Sequence, residues 1–548
     1  MFKWFRSGSP WIWLTSGAVS ISLLSVLGLL LLIGWKGFAY FWAAPLYQWT
    51  TPSGDTLIGQ VYQRELIPVD HIVNANTRFT ESEIIDGKVA RLNIKVANRE
   101  LYDADFISVF ESELSSAATP ENLMVVERSR GGAFFGIPVR YESVSNAENF
   151  DTDLQLVRGV GFAKTIRDEI ERTIDDQVDG LSWRLEKLRN DNRKAKFESG
   201  YTEQDEQNYL AQRRGLEAQV ESIELRLDAL RAQLELEQLV LMDMTGKQVS
   251  IPLSRIIDTW YPNNMSYWEK VKHWVKQIWA FLSEDPRESN SEGGVFPAIF
   301  GTVLLVLIMS IIVMPLGVIA AVYLHEYAKN NAFTRLIRIA VINLAGVPSI
   351  VYGVFGLGFF VYTLGGSLDD LFYADRLPAP TFGTPGLLWS ALTLALLTLP
   401  VVIVTTEEGL TRIPSSVRHG SLALGATQFE TIWRIVLPMA SPAMITGLIL
   451  AVARAAGEVA PLMLVGAVKL ASSLPIDGQF PYLHLERKFM HLGFHIYDVG
   501  FQTSNIEAAR PLVYATSFLL VTVIVGLNLT AISFRNNLRE KYRTLGQD

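Results

Sequence analysis

The sequence predicts an all-α polytopic membrane protein of six transmembrane helices, with an inserted α+β extracytoplasmic domain that contains a helical hairpin. Three observations lead there. Of 548 residues, 49% are hydrophobic and 19% charged, a mixture that fits an apolar part joined to a water-soluble part. The apolar residues gather in six runs, each near the ~20 residues that a bilayer requires. One stretch, 37–295, contains no such run and shows strand alternation and helical stripes instead.

The first run, about Trp11 to Trp35, follows Lys3 and Arg6 and precedes an aromatic belt of Trp35, Phe38, Tyr40, Phe41 and Trp42. A cleaved signal peptide is the rival reading, but its apolar core would be ~7–15 residues, shorter than this. A retained membrane helix, cytoplasmic end first, is therefore expected within 1–36. In 37–295, Arg91–Asn98 and Leu123–Arg128 alternate like strands. From Phe162 to Phe197 a stripe of Ile170, Ile174, Val178, Leu181, Leu185 and Leu188 reads as a helix. Glu198-Ser-Gly-Tyr-Thr202 breaks it, and a second stripe follows: Leu216, Val220, Ile223, Leu227, Leu230 and Leu234. Two stripes joined by a short Gly-containing turn predict an antiparallel hairpin over about 162–238. Strand character returns over Leu239–Tyr261, around a turn at Thr245-Gly-Lys247. A Trp-rich amphipathic segment (Trp268, Trp274, Trp279) then leads back to the bilayer.

Five further spans are expected at about 296–322, 338–364, 386–404, 442–466 and 511–533, within a core of 296–535 and ahead of a tail of 536–548. The short loops give the orientation. Lys329, Arg335 and Arg338 lie in one connection, and Arg535, Arg539, Lys541 and Arg543 in the tail. Asp369, Asp370 and Asp375 outnumber Arg376 in another. Positive charge inside puts both termini and the 405–441 loop in the cytoplasm, with 37–295 and the 467–510 loop outside.

Composition excludes several functions. The net charge of −8 gives no support to nucleic-acid binding, and the absence of cysteine rules out disulfides and thiolate metal sites. Gly87-Lys88 and Gly246-Lys247 lack the following Ser or Thr and the upstream Gly of a phosphate-binding loop, so the chain is not expected to hydrolyse ATP itself. Gly353, Gly356 and Gly358 fall inside a span, where small residues serve helix packing. His325-Glu326 lacks the second His of a zincin. His491 and His495, at i and i+4 with Asp498 nearby, have metal-ligand spacing but no assured third ligand; an amphipathic loop is the plainer reading. No metal or catalytic residue is expected.

Arg454 and Glu458 stand i, i+4 inside the fifth run, about 12 residues or ~18 Å from its start. Intramembrane charge is costly and marks function or a structural pair. Arg presents a planar fork suited to the oxygens of an oxyanion, and Glu458 can hold that fork and keep it from trapping the anion. The alternative is an ion pair that only fixes helix packing.

The polar loop before that run carries the specific signal. Gly425, nine residues, then Ile435-x-Leu437-Pro438 resembles the coupling loop of ABC importer permeases, E-A-A-x-x-x-G-x(9)-I-x-L-P. His419-Gly420-Ser421 stands where the family has E-A-A, a departure at the family's first polar contact but not in its helix–turn–helix. The resemblance implies that this loop, with Arg418, His419, Gly420, Ser421, Ala423, Gly425, Ala426, Ile435, Leu437 and Pro438, docks into a partner ATPase. Three further stretches are similar to the PstA permease family of phosphate importers: Pro315–Ala328, Leu344–Gly353 and Ala453–Leu462, with Val459 where a Thr is usual. Over roughly 296–535 this implies a type I ABC importer permease fold in a bacterial inner membrane, with 37–295 periplasmic. It also implies a homologous permease subunit PstC, two copies of the ATPase PstB holding ATP and Mg, the phosphate-binding protein PstS, and inorganic phosphate as cargo. Sulfate or molybdate import is the rival of the same class. A membrane sensor or scaffold built on the large external domain is the rival of another class.

Overall fold

The computed structural model describes residues 9–544 apart from 52, 73–78, 80–83, 85, 103, 143–151, 198–199, 288–289, 291, 330 and 504–505. Lys3, Arg6, Glu198 and Ser199 lie outside the described residues, as do the side chains of Arg539, Lys541 and Arg543. The chain divides into two compact units, Met1–Tyr40 with Phe281–Asp548, and Phe41–Ala280.

The Phe41–Ala280 unit is built on two antiparallel sheets. Strands β1 (Tyr47–Thr50), β2 (Thr56–Pro68), β3 (Lys88–Lys95) and β4 (Phe106–Phe110) form one in sequential order. Strands β5 (Met124–Arg128), β6 (Phe134–Glu142), β7 (Gln238–Met242), β8 (Gln248–Pro252) and β9 (Ile256–Trp260) form the other, in the order β8-β7-β6-β5-β9. Period-two alternation gives the second sheet two apolar faces. Leu123, Val125 and Phe135 pack with Leu46, Ile58 and Ala97, while Met124, Val126 and Phe134 pack with Leu156, Ala163, Ile166 and Leu234. The latter come from the base of a helical hairpin: α2 (Thr152–Thr173), a π-wound turn (Ile174–Val178), α3 (Asp179–Phe197) and α4 (Glu203–Glu235). The first hairpin helix thus begins ten residues before the expected Phe162. Gly159 and Gly161 obscure the periodicity there, and Gly159 is where the helix rests on the Tyr141 ring. At the far end Thr202 caps α4 in a reciprocal box with Asp205. The Trp-rich segment is α5 (Tyr267–Ser283).

Among the described residues, six helices are long and apolar enough to cross a membrane. The first is α1 (Ser9–Ala39), whose last turns meet the final helix closely: a Cβ on Gly34 would touch the Phe518 ring, and one on Gly37 the backbone of Ala515. The others are α6 (Phe296–Val322, extended by a π-wound turn Tyr323–Tyr327), α8 (Ser349–Phe372), α9 (Leu387–Thr411), α11 (Gln428–Gly457) and α14 (Ile506–Thr544). Between them lie α7 (Ala332–Leu344), α10 (Ser415–Ala423), α12 (Ala460–Val465) and α13 (Leu492–Tyr497). The core centres on α9, two thirds of whose most apolar window is buried (67%). Small and branched residues make its contacts, with Ala391, Leu394, Leu397 and Val402 meeting Leu305, Met309 and Val313 of α6 and Ala451, Ala455 and Ala456 of α11. Alanines at these positions let the helix backbones approach where lipid offers no hydrophobic drive for association.

Two spans differ most from expectation. The one expected at 338–364 is split. Gly346 and Pro348 end α7 in a turn, because Pro disfavours helix at the residue before it, and α8 starts afresh at Ser349. The Tyr352 hydroxyl closes that turn by donating to the Leu344 carbonyl at 2.5 Å. The span expected at 442–466 instead runs Gln428–Gly457. It passes through Pro438 and Pro442 because π-winding over Ile432–Val436 shifts the hydrogen bonds ahead of the first proline. With α9 also running past the expected 404 to Thr411, the expected 405–441 loop shrinks to 412–427.

Candidate functional site: the 412–427 loop and the Arg454–Glu458 pair

The loop is built by local rules. Pro414 opens α10 with its preset backbone, and Gly425, at φ +90°, turns the chain after it. Gly425 N–H donates to the Leu422 carbonyl at 3.0 Å and Ala426 N–H to that of Ser421 at 3.3 Å. Thr427 and Glu430 then form a reciprocal cap on α11, with bonds of 2.9 and 3.2 Å. The Ser421 and Thr431 hydroxyls, both buried, meet at 2.8 Å and hold the two helices together. Beneath them Leu410, Ile413, Val436 and Ala440 form an apolar base with Val322 and Val417.

The structure distributes the residues singled out above unequally. His419, Gly420, Ala423 and Gly425 are exposed, Ala426 is half-buried and Ser421 is buried. Arg418 is mostly covered and turned inward, donating to Glu326 Oε1 at 3.0 Å and to the Leu410 and Ile413 carbonyls at 2.8 Å. Ile435, Leu437 and Pro438 are half-buried within α11 rather than in the loop. Periodicity overlooked the apolar outer surface: Leu424 is 91% exposed, and the exposed rings of Phe429 and Trp433 stack at 6.3 Å. The signal was present as Phe and Trp four apart in a polar stretch.

Arg454 and Glu458 do come together, at 3.7 Å between Nε and Oε1, but not as two positions midway along one helix. Arg454 lies in the last turn of α11. Glu458 is the residue after its end, with extended ψ of 132°, ahead of the short α12. The pair therefore marks a break. At 3.7 Å it is an ion pair without a hydrogen bond, and both side chains keep some exposure, 31% and 20%. The fork of Arg454 is thus open to further acceptors. Gly353 and Gly356 of α8 bring that helix against Pro461, Thr393 and Val465, whereas Gly358 faces open space.

His491 and His495 are buried. His491 caps α13, its Nδ1 accepting from Gly493 N–H at 3.1 Å. Burial lowers both imidazoles to about 4. Asp498 is paired with Lys469 at 3.1 Å and accepts from Asn290 at 3.2 Å. Among the described residues no three His, Asp or Glu side chains converge as metal ligands.

Residues 313–543 match the family described as binding-protein-dependent transport system inner membrane component. The phosphate transport system permease protein PstA of Mycobacterium leprae (strain TN) is 35% identical over 245 residues, 44% of this chain and 71% of that protein. PstA 1 of Mycobacterium tuberculosis (strain CDC 1551 / Oshkosh) is 31% identical over 277 residues, 50% of this chain and 78% of that one. The probable ABC transporter permease protein YqgI of Bacillus subtilis (strain 168) is 31% identical over 256 residues, 46% and 81% respectively.

Proposed function

The chain belongs to the PstA family of ABC importer permeases, and on that basis we propose that it is the membrane-spanning subunit through which inorganic phosphate is imported. It is a multi-pass membrane protein, and its family works with an ATPase and a substrate-binding protein. We assign to this chain the corresponding partners: a homologous permease subunit of the PstC type, a PstB-type ATPase pair that binds ATP and Mg, and a PstS-type phosphate-binding protein. The observation that carries the reading is that the matched residues 313–543 contain both the 412–427 loop and the Arg454–Glu458 pair. The loop offers an exposed apolar knuckle for an ATPase cleft, and the pair offers an open guanidinium to an anion.

The orientation that fits has both termini and the loop in the cytoplasm of a bacterial inner membrane, with Phe41–Ala280 outside. The test is to purify the chain with its co-expressed partners and reconstitute the complex. Phosphate-stimulated ATP hydrolysis with uptake of labelled phosphate is expected, competed by phosphate but not by sulfate or molybdate. Uptake competed equally by sulfate would make the cargo a different oxyanion. Absence of any co-purifying ATPase would remove the importer reading.

A further inference from the structure

The most heavily bonded side chain of the docking loop turns inward, onto its own chain. Arg418 Nε and Nη2 donate to Glu326 Oε1 at 3.2 and 3.0 Å, and its Nη1 and Nη2 reach the carbonyls of Ile413 and Leu410 at 2.8 Å. Both partners of the ion pair are largely covered, at 18% and 11% exposure. Charge-assisted bonds in such surroundings are the strong ones.

Glu326 lies 92 residues earlier, in the π-wound turn Tyr323–Tyr327 that ends α6. His325 Nδ1 is 3.0 Å from the same Oε1. A second arginine grips the same turn from another side: Arg338 of α7 donates to the Leu324 carbonyl at 2.7 Å and pairs with Glu407 of α9 at 3.5 Å. One irregular turn is thus tied to α7 and, through Arg418, to the docking helix α10. Beside it is a cavity of about 510 Å³ bordered by Leu324, His325, Arg338, Val404, Glu407 and Thr411. Close-packed interiors resist displacement, whereas a turn bordered by free volume can move. Single π-turns within helices recur at functional positions.

We propose that the Arg418–Glu326 pair is the relay that carries displacement of the docking loop to the membrane helix α6, with the Tyr323–Tyr327 turn as its moving part. This rests on the reading of 412–427 as the surface that meets the ATPase. Arg418 and Glu326 are positioning residues, since neither is placed on the cargo. When the loop is pulled, the pair obliges the end of α6 to follow, because separating two covered charges is costlier than shifting a turn into the cavity.

The experiment uses the full chain reconstituted with its partners and reads two quantities separately: the amount of assembled complex, and phosphate imported per ATP hydrolysed. Glu326→Gln keeps shape but removes charge, and Arg418→Lys keeps charge but removes the fork. In each, assembled complex should persist while phosphate imported per ATP falls about tenfold or more. An unchanged ratio in both single variants overturns the relay. So does a loss confined to the amount of complex, which would make the pair a clamp. If the unaltered chain brings down no ATPase, the function assigned above fails rather than the relay.

Discussion

Among single residues, the open guanidinium of Arg454 leads to a first prediction. Arg454→Gln should abolish phosphate uptake while leaving the complex assembled, and Arg454→Lys should be impaired by about tenfold, since charge survives but the fork does not. Uptake and the yield of complex on a sizing column check this. A purely structural pair would behave differently: each single change would lower the yield, and replacing both residues by apolar ones would restore uptake. The second prediction concerns His491 and His495. Their folded values, about 4, lie below the usual 6.5, so the unfolded chain binds more protons between those limits. Stability is then complete above about pH 6.5 and falls as pH drops from there towards 4, by a few kcal/mol in all. Thermal unfolding of the solubilised chain at about pH 7 and about pH 5 measures it, and His495→Met should flatten the fall.

Among elements, the 412–427 loop depends on one backbone angle. Gly425 stands at φ +90° with open space where a Cβ would lie, so Gly425→Ala meets no clash but strains the turn by on the order of 1 kcal/mol. Gly425→Asn should be milder, because Asn tolerates positive φ. Retention of the ATPase on the purified chain should follow that order. Single cysteines are clean probes in a chain that has none. Cysteine at exposed Ala423 should cross-link to the ATPase more readily than cysteine at half-buried Ala426, and Phe429→Ala with Trp433→Ala should weaken docking. If no position from 415 to 433 cross-linked, the assignment of this surface would fall. The motif was legible in sequence because a glycine turn and an Ile-x-Leu-Pro run at fixed spacing are local features. That Phe429 and Trp433 face outward was not, since helical periodicity alone does not say which of two apolar stripes is covered.

For the whole molecule, the hairpin is separable only in part. Ile166, Ile170, Leu230 and Leu234 pack into the core of the β unit, so deleting 165–236 removes part of that core. Replacing 175–226 by a short Gly/Ser link should instead leave the β unit folded and the membrane helices inserted. Protease resistance of residues 41–280 in the full chain would report the difference. Sidedness is testable in the same background: an impermeant maleimide should label a cysteine at Thr245 from outside intact cells and leave one at His419 unlabelled.

Local patterns along the chain were enough to set the number of spans, the hairpin and the strand character of the Phe41–Ala280 unit. Each follows from periodicity, run length or turn chemistry, which act over a few neighbouring residues. Where two of the spans begin and end became visible only in the folded chain. Hydropathy is indifferent to a helix that breaks at Pro348 or Glu458 and resumes, or to one that winds past Pro438. The same holds for the pairing of Arg418 with Glu326, and for the helix end that falls between Arg454 and Glu458, whose pairing itself was expected from their i, i+4 spacing. A charge far along the chain chooses its partner only when folding removes water from both.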